Sequence, residues 1–299
     1  MVKNKKAVVL YSGGLDSRLA VKILQEQGFE VTCVHFKLPF GCGCCVLECN
    51  FNFTQVHGAK LEIMDCTKGK LFDDYLDMVK HPKYGRGSGI NPCIDCKIFI
   101  FKKAKEYADE NKIEVIATGE VLGERPMSQI RKSIGLIDRS CGFEVLRPLS
   151  AKLFDETSWE KSGLVDREKL YDFSGRQRKR QMELARKFGI KYPAPGGGCL
   201  MCEGMIAKRF KTLIKEDLIS EKTLPLIPIG RHFFIEDCWF VVARNEAECE
   251  IIEKFSNSIE GKKSTPAVYF HQPEGREIAE ELQKAYQEKK PDKFEEWKL

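Results

Sequence analysis

The sequence predicts an α/β protein in which a parallel sheet carries helices on both faces. Short apolar runs rich in β-branched residues recur through the first half of the chain, and helical stretches separate most of them. This alternation is typical of a parallel sheet with crossover helices. The predicted strands are 7–11, 31–38, 61–65, 115–119 and 145–149, and the predicted helices are 17–27, 70–80 and 95–111.

The first predicted strand leads directly into Ser-Gly-Gly-Leu-Asp-Ser at residues 12–17, and a helix follows. Gly13 and Gly14 allow a tight turn and a close approach to an anion. Ser12, Ser17 and the N–H groups at the helix start are hydrogen-bond donors. The turn therefore predicts a phosphate site, although its spacing matches neither common nucleotide-binding glycine motif. The alternative is a glycine turn without a ligand.

Length and composition are those of an ordinary water-soluble protein of about two domains, since 42% of the 299 residues are hydrophobic and 31% are charged. No run approaches the roughly 18 apolar residues of a membrane helix. The start of the chain lacks a signal-like apolar region, so we expect a cytoplasmic protein that does not contact membranes. The net charge of +5 permits a nucleic acid partner without requiring one.

The apolar patterning changes near residue 150, which divides the chain into three predicted segments. Residues 1–150 form the α/β domain, 151–204 a basic helical segment, and 205–299 a smaller α+β accessory domain that could dock RNA. In the last segment the predicted strands are 233–243 and 267–271, with a weaker strand at 226–229, and the predicted helices are 246–255 and 274–288.

Thirteen cysteines, an odd and clustered set, argue against a disulfide framework and for metal or sulfur chemistry. Cys93 and Cys96 lie three apart at a predicted helix start, where the helix dipole favours thiolates. Cys199 follows three glycines and provides a third thiol. Three thiolates suit a 4Fe–4S cluster with one open iron, whereas adding Cys202 gives a zinc site of four cysteines, and spacing leaves both open.

A second cysteine cluster follows the second predicted strand. Cys42, Cys44, Cys45 and Cys49 lie close together in a glycine-containing segment. They could bind another metal, carry a persulfide, or form a loop without a chemical role.

Residues 174–191 are predicted as a strongly basic helix close to Cys199. Arg176, Arg180 and Lys187 would lie on one side of it at positions i, i+4 and i+11. Such a row can contact RNA phosphates, although a solvated basic face is the alternative.

Several motifs together resemble the PP-loop ATP pyrophosphatases, and in particular their iron–sulfur-dependent tRNA thiouridylases. The similarity runs from about residue 5 to 210 and includes the turn 12–17, the Pro-Cys-x-x-Cys helix start and a distant third cysteine. Further similar segments are 117–120, 123–129, 147–152 and 197–200. A second thiol at the position of Cys202 departs from the pattern.

The resemblance implies a PP-loop (HUP-like) fold and an AMP-forming tRNA sulfurtransferase that uses ATP and Mg²⁺. The enzyme would adenylate a uridine carbonyl oxygen and replace it with sulfur from free sulfide or a persulfide carrier. ATP would contact Ser12, Gly13, Gly14, Asp16, Ser17 and Gly119. The catalytic residues would be Asp16 and the three cluster ligands Cys93, Cys96 and Cys199.

Two other functions remain open from the sequence. A related PP-loop enzyme could act on a small molecule, for example by nitrile formation, with Zn²⁺ on four cysteines. The fold could also have become a catalytically silent RNA- or metal-binding protein, although the intact turn at 12–17 argues against this.

Overall fold

A computed structural model describes residues 5–41, 47–194, 199–262 and 264–299, without the side chains of 47–49 and 205. Among these residues, no helix is both long and apolar enough to cross a membrane. Contacts between Cα atoms divide the chain into two compact units, Met1–Cys199 and Leu200–Leu299. The roles expected for 1–150, 151–204 and 205–299 stay predictions.

The first unit alternates strands and helices. Its strands are β1 (Lys6–Leu10), β2 (Glu30–Lys37), β3 (Lys60–Asp65) and β4 (Val115–Thr118). Its helices are α1 (Leu15–Gln25), α2 (Leu47–Val56), α3 (Gly69–Lys80), α4 (Cys93–Glu110), α5 (Arg131–Cys141), α6 (Ser158–Lys161) and α7 (Lys179–Lys187). Short 3₁₀ turns occupy Ala151–Leu153 and Arg167–Lys169.

The strands form a parallel sheet in the order β3-β2-β1-β4. Val8 of β1 lies opposite Thr32 of β2 on one side and Ile116 of β4 on the other. Because β1 and β4 are neighbours, the segments that follow them, 11–14 and 119–120, leave the same edge of the sheet. Ligands of open α/β sheets bind at this carboxyl edge. The predicted fold class is confirmed.

Alternate residues of β1 face different helical layers, as the two-residue period of a strand requires. Ala7 and Val9 belong to the apolar cluster that also contains side chains of α1, α2 and α7. Val8 and Leu10 belong to the cluster that contains side chains of α4 and α5. Burial on both faces explains why β1 reads as an unbroken apolar run.

The predicted strand at 145–149 is reduced to a single bridge. Leu146 pairs with Ala117 in parallel, accepting a hydrogen bond from the N–H of Thr118 (2.9 Å) and donating one to the carbonyl of Ile116 (2.8 Å). Pro148 has no N–H group with which to continue the ladder.

The basic helix is shorter than predicted, because α7 begins at Lys179 rather than near residue 174. The residues before it pair with another loop instead: Ser174 bridges Leu122, and the N–H of Gly175 donates to the carbonyl of Leu122 (2.7 Å). Arg176 therefore precedes the helix, and its expected helical register with Arg180 does not hold.

The second unit is an α+β fold. Its helices are α8 (Gly204–Lys215), α9 (Glu246–Ile252) and α10 (Arg276–Gln287), and its strands are β5 (Arg231–Ile235), β6 (Cys238–Val242), β7 (Ser258–Ile259) and β8 (Val268–Phe270). The strands are antiparallel, in the order β5-β6-β8-β7. Short 3₁₀ segments lie at Leu200–Cys202, Leu224–Leu226, Pro273–Gly275 and Pro291–Trp297.

The single strand expected at 233–243 is a hairpin, since Glu236 and Asp237 both adopt positive φ between β5 and β6. Such a turn reverses the chain within an apolar stretch, which hydrophobicity alone does not reveal. Residues 226–229 form no strand, and the 3₁₀ turn Leu224–Leu226 precedes them.

His232 is a core residue of the second unit. It is fully buried, accepts a hydrogen bond from Trp239 Nε1 at Nδ1 (3.0 Å), and lies 2.7 Å from the carbonyl of Ile229 through Nε2. These partners require the neutral Nε2–H tautomer. Burial lowers the pKa of His232 well below its ordinary value.

A buried ion cluster fixes the edge of the first sheet. Glu120, two residues beyond β4, is 2% exposed, and its carboxylate lies 2.9 Å from Lys97 Nζ and 3.1 Å from Arg147 Nε. Arg147 also pairs with Asp138 at 2.7 Å. Burial acts to raise the pKa of Glu120, but the two cations outweigh it and the pKa lies below its ordinary value.

We expect Glu120→Gln to lower the free energy of unfolding by about 3–5 kcal/mol at pH 7, because the buried Arg147 and the partly buried Lys97 lose their common anion. Since the folded-state pKa of Glu120 is depressed, its contribution is present above the unfolded-state pKa of about 4.3 and is lost as the pH falls through the folded value. Denaturant unfolding from pH 7 to pH 3 measures both effects.

Glu110→Gln, at the exposed end of α4, is the control and should change stability little. A deficit for Glu120→Gln that stays constant at low pH would contradict the electrostatic explanation.

Candidate active site at the sheet edge

The turn between β1 and α1 has the geometry of an anion cradle. Gly13 adopts φ +79°, and a Cβ there would lie 1.9 Å from Oδ1 of Asn50, so only glycine fits. Ser17 Oγ donates to the carbonyl of Gly14 (2.9 Å) and receives a hydrogen bond from Ser12 Oγ (3.3 Å). Gly14, the N-cap of α1, has no side chain to cover the first N–H groups of the helix. Those groups can bind a phosphate.

Gly119 supports this turn from the neighbouring strand. A Cβ at Gly119 would lie 2.5 Å from the backbone N of Ser17 and 2.6 Å from the carbonyl carbon of Asp16. The backbone that follows β4 thus lies directly against the start of α1. The close approach accounts for glycine at the position where β4 leaves the sheet.

Asp16 lies in a mixed cluster of charges. Arg178 Nη2 is 3.8 Å from its Oδ2, and Arg178 Nε is 3.9 Å from Oε1 of Glu124. Burial raises the pKa of Asp16 to about 6, with the charge of Glu124 adding to the rise and the charges of Arg178 and Arg125 opposing it. The pKa of Glu124 is also raised, chiefly by burial. A bound cation would relieve both carboxylates.

The Cys-x-x-Cys pair begins α4, as predicted. Asn91 Nδ2 donates to Cys93 Sγ (3.0 Å), and Asp95 accepts from the N–H groups of Lys83 (2.9 Å) and Tyr84 (3.1 Å). Burial raises the pKa of the Cys96 thiol to about 11, and this outweighs any dipole effect on that cysteine. The expectation of a lowered pKa is therefore wrong for Cys96.

Tyr75 of α3 connects the second and third thiols of the predicted set. Its fully buried hydroxyl lies 3.6 Å from Cys96 Sγ. Its ring centroid is 6.2 Å from that of Phe40, and Cys199 Sγ donates to the carbonyl of Phe40 (3.0 Å). Burial raises the pKa of Tyr75, and negative charge on Cys96 or Cys199 adds to the rise, as expected for a hydroxyl near both thiols.

The ligand types near Tyr75 fit a metal centre that is held by thiolates. Cys93, Cys96 and Cys199 would supply the sulfur ligands from two distant parts of the chain. Across the described ranges, however, no three His, Cys, Asp or Glu side chains are arranged closely enough to hold a metal ion. Cys199 uses its thiol to contact Phe40 instead.

The other cysteines are placed as follows. Cys33 and Cys66 are buried, the first within β2 and the second just after β3. Cys202 ends a 3₁₀ turn of the second unit and is exposed. Cys42, Cys44 and Cys45 lie outside the described residues, and of Cys49 only the backbone position in α2 is described. The glycines 196–198 before Cys199 also lie outside them.

The basic residues expected to contact RNA are all exposed, but not equivalent. Arg180 pairs with Asp172 at 2.6 Å and lies 4.3 Å from the ring centroid of Phe173. Arg176 lies before α7 and Lys187 at its last residue. Leu184 and Ala185 bury the opposite side of α7 in the core. An RNA role for the exposed side stays a prediction.

Sequence reasoning missed Tyr75, Glu124 and Arg178 as members of the site. Glu124 lies in a motif that carried the family resemblance, and Arg178 was counted only as one of several basic residues. Tyr75 lies in an ordinary amphipathic helix and gave no local signal.

Comparison with known proteins identifies the family. A family model described as "Thiamine biosynthesis protein (ThiI)" matches residues 2–153, about half of the chain. The chain belongs to the ThiI family. The resemblance to PP-loop tRNA thiolation proteins is thereby confirmed. The match covers the sheet, the turn at 12–17 and the Cys93–Cys96 pair, and it ends before α7.

This ThiI-family protein is also similar to curated tRNA-modifying enzymes. It is 32% identical over 155 residues to "tRNA-specific 2-thiouridylase MnmA 2" of Caldanaerobacter subterraneus subsp. tengcongensis, covering 45% of this chain and 41% of that protein. It is 28% identical over 153 residues to "Probable tRNA sulfurtransferase" of Finegoldia magna, covering 49% of this chain and 36% of that protein. The chain spans about two fifths of the length of these relatives.

Among solved structures, the ThiI-family chain is similar to a "4-thiouridine synthetase - RNA complex with bound ATP". The identity is 22% and the TM-score 0.40, with 75% of this chain and 52% of that chain covered.

We expect Gly119→Ala to weaken the binding of ATP, the ligand implied by the sequence resemblance, by about tenfold or more. The added Cβ must displace backbone atoms of Asp16 and Ser17, which changes the phosphate cradle. Calorimetric titration with Mg-ATP measures the affinity. Gly204→Ala in α8 is the control, because its Cβ would meet nothing within 4 Å. Equal affinities for Gly119→Ala and the unsubstituted protein would contradict this account of the turn.

Proposed function

We propose that this chain is an ATP-dependent tRNA sulfurtransferase that replaces a uridine carbonyl oxygen with sulfur. The observation that carries the proposal is a continuous path of contacts from the phosphate turn to the cysteine pair. Ser17 lies against Gly119, Glu120 follows Gly119, and Glu120 binds Lys97, the residue after Cys96. A nucleotide and a sulfur-handling group would therefore lie at neighbouring positions on one sheet edge.

In the first step the carbonyl oxygen of the base attacks the α-phosphorus of ATP, and pyrophosphate leaves. The protein contributes mainly position and charge neutralisation. Ser12, Ser17 and the first N–H groups of α1 would bind phosphoryl oxygens. Asp16, half-buried beside the carboxylate of Glu124, would bind the Mg²⁺ that accompanies them.

In the second step a sulfide sulfur attacks the adenylated carbon. The C–S bond forms, the C–O bond breaks, and AMP leaves with the oxygen. A 4Fe–4S cluster on Cys93, Cys96 and Cys199 would supply an iron without a protein ligand as a Lewis acid for sulfide. The residues of the chain orient this group: Asn91 holds Cys93, and Tyr75 lies against Cys96. Free sulfide would provide the sulfur directly, whereas a persulfide carrier would provide it together with a thiol reductant that releases the outer sulfur as sulfide and leaves a disulfide.

Transfer RNA is the proposed substrate, since the curated relatives are named for tRNA modification. The exposed residues Arg176, Arg180 and Lys187 would contact its phosphates. The ion pair with Asp172 partly neutralises the charge of Arg180. We therefore expect Arg176 and Lys187 to contribute more than Arg180 to phosphate binding.

Anaerobic purification with iron, sulfide and zinc analysis tests the proposed cluster. We expect about four irons and four sulfides per chain, and loss of most of the iron in Cys199→Ala. Cys93→Ala should abolish thiolation while Mg-ATP still binds. Cys141→Ala, a partly buried thiol on α5, should retain the iron. One zinc without sulfide, or full iron content in Cys199→Ala, would contradict the assigned ligands.

Charge reversal tests the RNA surface. We expect Arg176→Glu/Arg180→Glu to weaken tRNA binding and to make its dependence on salt concentration less steep, because fewer phosphate contacts release fewer counterions. Lys132→Glu/Arg139→Glu changes the net charge equally at two exposed positions of α5 and is the matched control. Filter binding across a range of salt concentrations gives both quantities. Equal losses in the two double variants would assign the effect to net charge alone.

A further inference from the structure

Arg178 links the basic segment to the turn at residues 12–17. Its guanidinium lies between two carboxylates, 3.8 Å from Asp16 and 3.9 Å from Glu124. These are ion-pair separations, longer than the 2.7–2.9 Å of charged hydrogen bonds. The three side chains are 17–23% exposed, so the cluster is partly shielded from water.

The position of Arg178 is built by the backbone. Ser174 bridges Leu122, and the N–H of Gly175 donates to Leu122 (2.7 Å), which places the 174–178 segment beside the loop that carries Glu124. On its other side, Arg178 is the N-cap of α7, and its carbonyl accepts from the N–H of Met182 (2.9 Å). The backbone on both sides of Arg178 is therefore held by hydrogen bonds, and this holds its guanidinium close to the turn.

The cluster has unused hydrogen-bonding capacity. Among the described residues, Nε of Arg178 and Oδ1 of Asp16 are buried and make no hydrogen bond. Buried polar groups of this kind are normally satisfied by a partner. A guanidinium edge fits phosphoryl oxygens, and paired carboxylates fit Mg²⁺. The Mg²⁺ complex of a nucleoside triphosphate supplies both partners, namely phosphoryl oxygens for the guanidinium and a metal ion for the carboxylates.

We propose that Arg178 is a nucleotide-phosphate-binding residue that, in the nucleotide-free protein, occupies the place between Asp16 and Glu124 which the Mg²⁺ of ATP takes. When Mg-ATP binds, the Arg178 guanidinium leaves the two carboxylates and binds phosphoryl oxygens. The carboxylates of Asp16 and Glu124 then bind the metal ion. The inference rests on the proposed use of ATP. It adds a residue from outside the segment matched by the family model.

Two affinities with opposite expected changes test this role. In Arg178→Gln, Mg-ATP affinity should fall by about 10- to 100-fold, because a charged phosphate contact is lost. Mn²⁺ affinity without nucleotide, measured by electron paramagnetic resonance, should rise several-fold, because the competing cation is gone. Arg178→Lys should recover part of the ATP affinity. Arg186→Gln, exposed on α7, is the control and should change neither affinity.

The outcomes separate the two proposals. If the unsubstituted protein binds Mg-ATP and Arg178→Gln binds it equally well, Arg178 is not a phosphate ligand and only this inference is overturned. If Arg178→Gln loses affinity for both ATP and Mn²⁺, the residue maintains the structure of the turn, and the inference is again overturned. If the unsubstituted protein binds no ATP, the proposed function fails together with the inference.

Discussion

The ion pairs of the buried Glu120 carboxylate are the interaction on which the rest of the site depends. Removing a carboxylate from water is costly, and only close cations recover that cost. Glu120 obtains them from Lys97 at the start of α4 and from Arg147, which itself pairs with Asp138 of α5. The ion cluster therefore joins the end of β4, the cysteine-bearing helix and the segment after α5. None of the three can shift without exposing a buried charge.

The sequence predicted the sheet well because the relevant signal is local. Each central strand is buried on both faces and must be apolar, and β1 shows this throughout Ala7–Leu10. The errors occur where tertiary contacts override that signal. Leu146 satisfies the apolar pattern of a strand, yet Arg147 turns to Glu120 and Pro148 cannot extend the ladder. Ser174 and Gly175 lie in a helical pattern but pair with Leu122 instead.

The same distinction applies to the site. Glycine and serine at 12–17 indicate an anion turn by their own chemistry, and Cys93 and Cys96 are paired by their spacing. Tyr75 and Glu124 could not be found in this way, because their roles arise only from the side chains that folding places beside them. Cys199 is intermediate: its type and setting indicated a ligand, but only the fold brings it near Phe40 and Tyr75.

Arg18 joins the turn at residues 12–17 to the backbone that follows α7. This residue of α1 is 4% exposed, donates from Nε to the carbonyl of Gly13 (2.7 Å), and donates from Nη1 to the carbonyl of Lys191 (2.7 Å). Its guanidinium also lies 4.8 Å from the ring centroid of Phe53, which restricts its orientation. A planar donor with these contacts fixes the turn and the chain beyond α7 in one geometry.

Lys191 lies beyond the C-terminal end of α7, while Arg178 meets Asp16 at its N-terminal end. The basic helix is therefore fastened to the phosphate turn on both sides, by two arginines of different character. Arg18 donates short hydrogen bonds to two backbone carbonyls. Because carbonyl groups do not titrate, this attachment is permanent. Among the described residues, the ion-pair contacts of Arg178 are long ones, 3.8 Å to Asp16 and 3.9 Å to Glu124. If a nucleotide binds the turn as proposed, the Arg18 attachment would stay intact while the Arg178 attachment rearranges, so that the start of α7 shifts and Lys191 keeps its place.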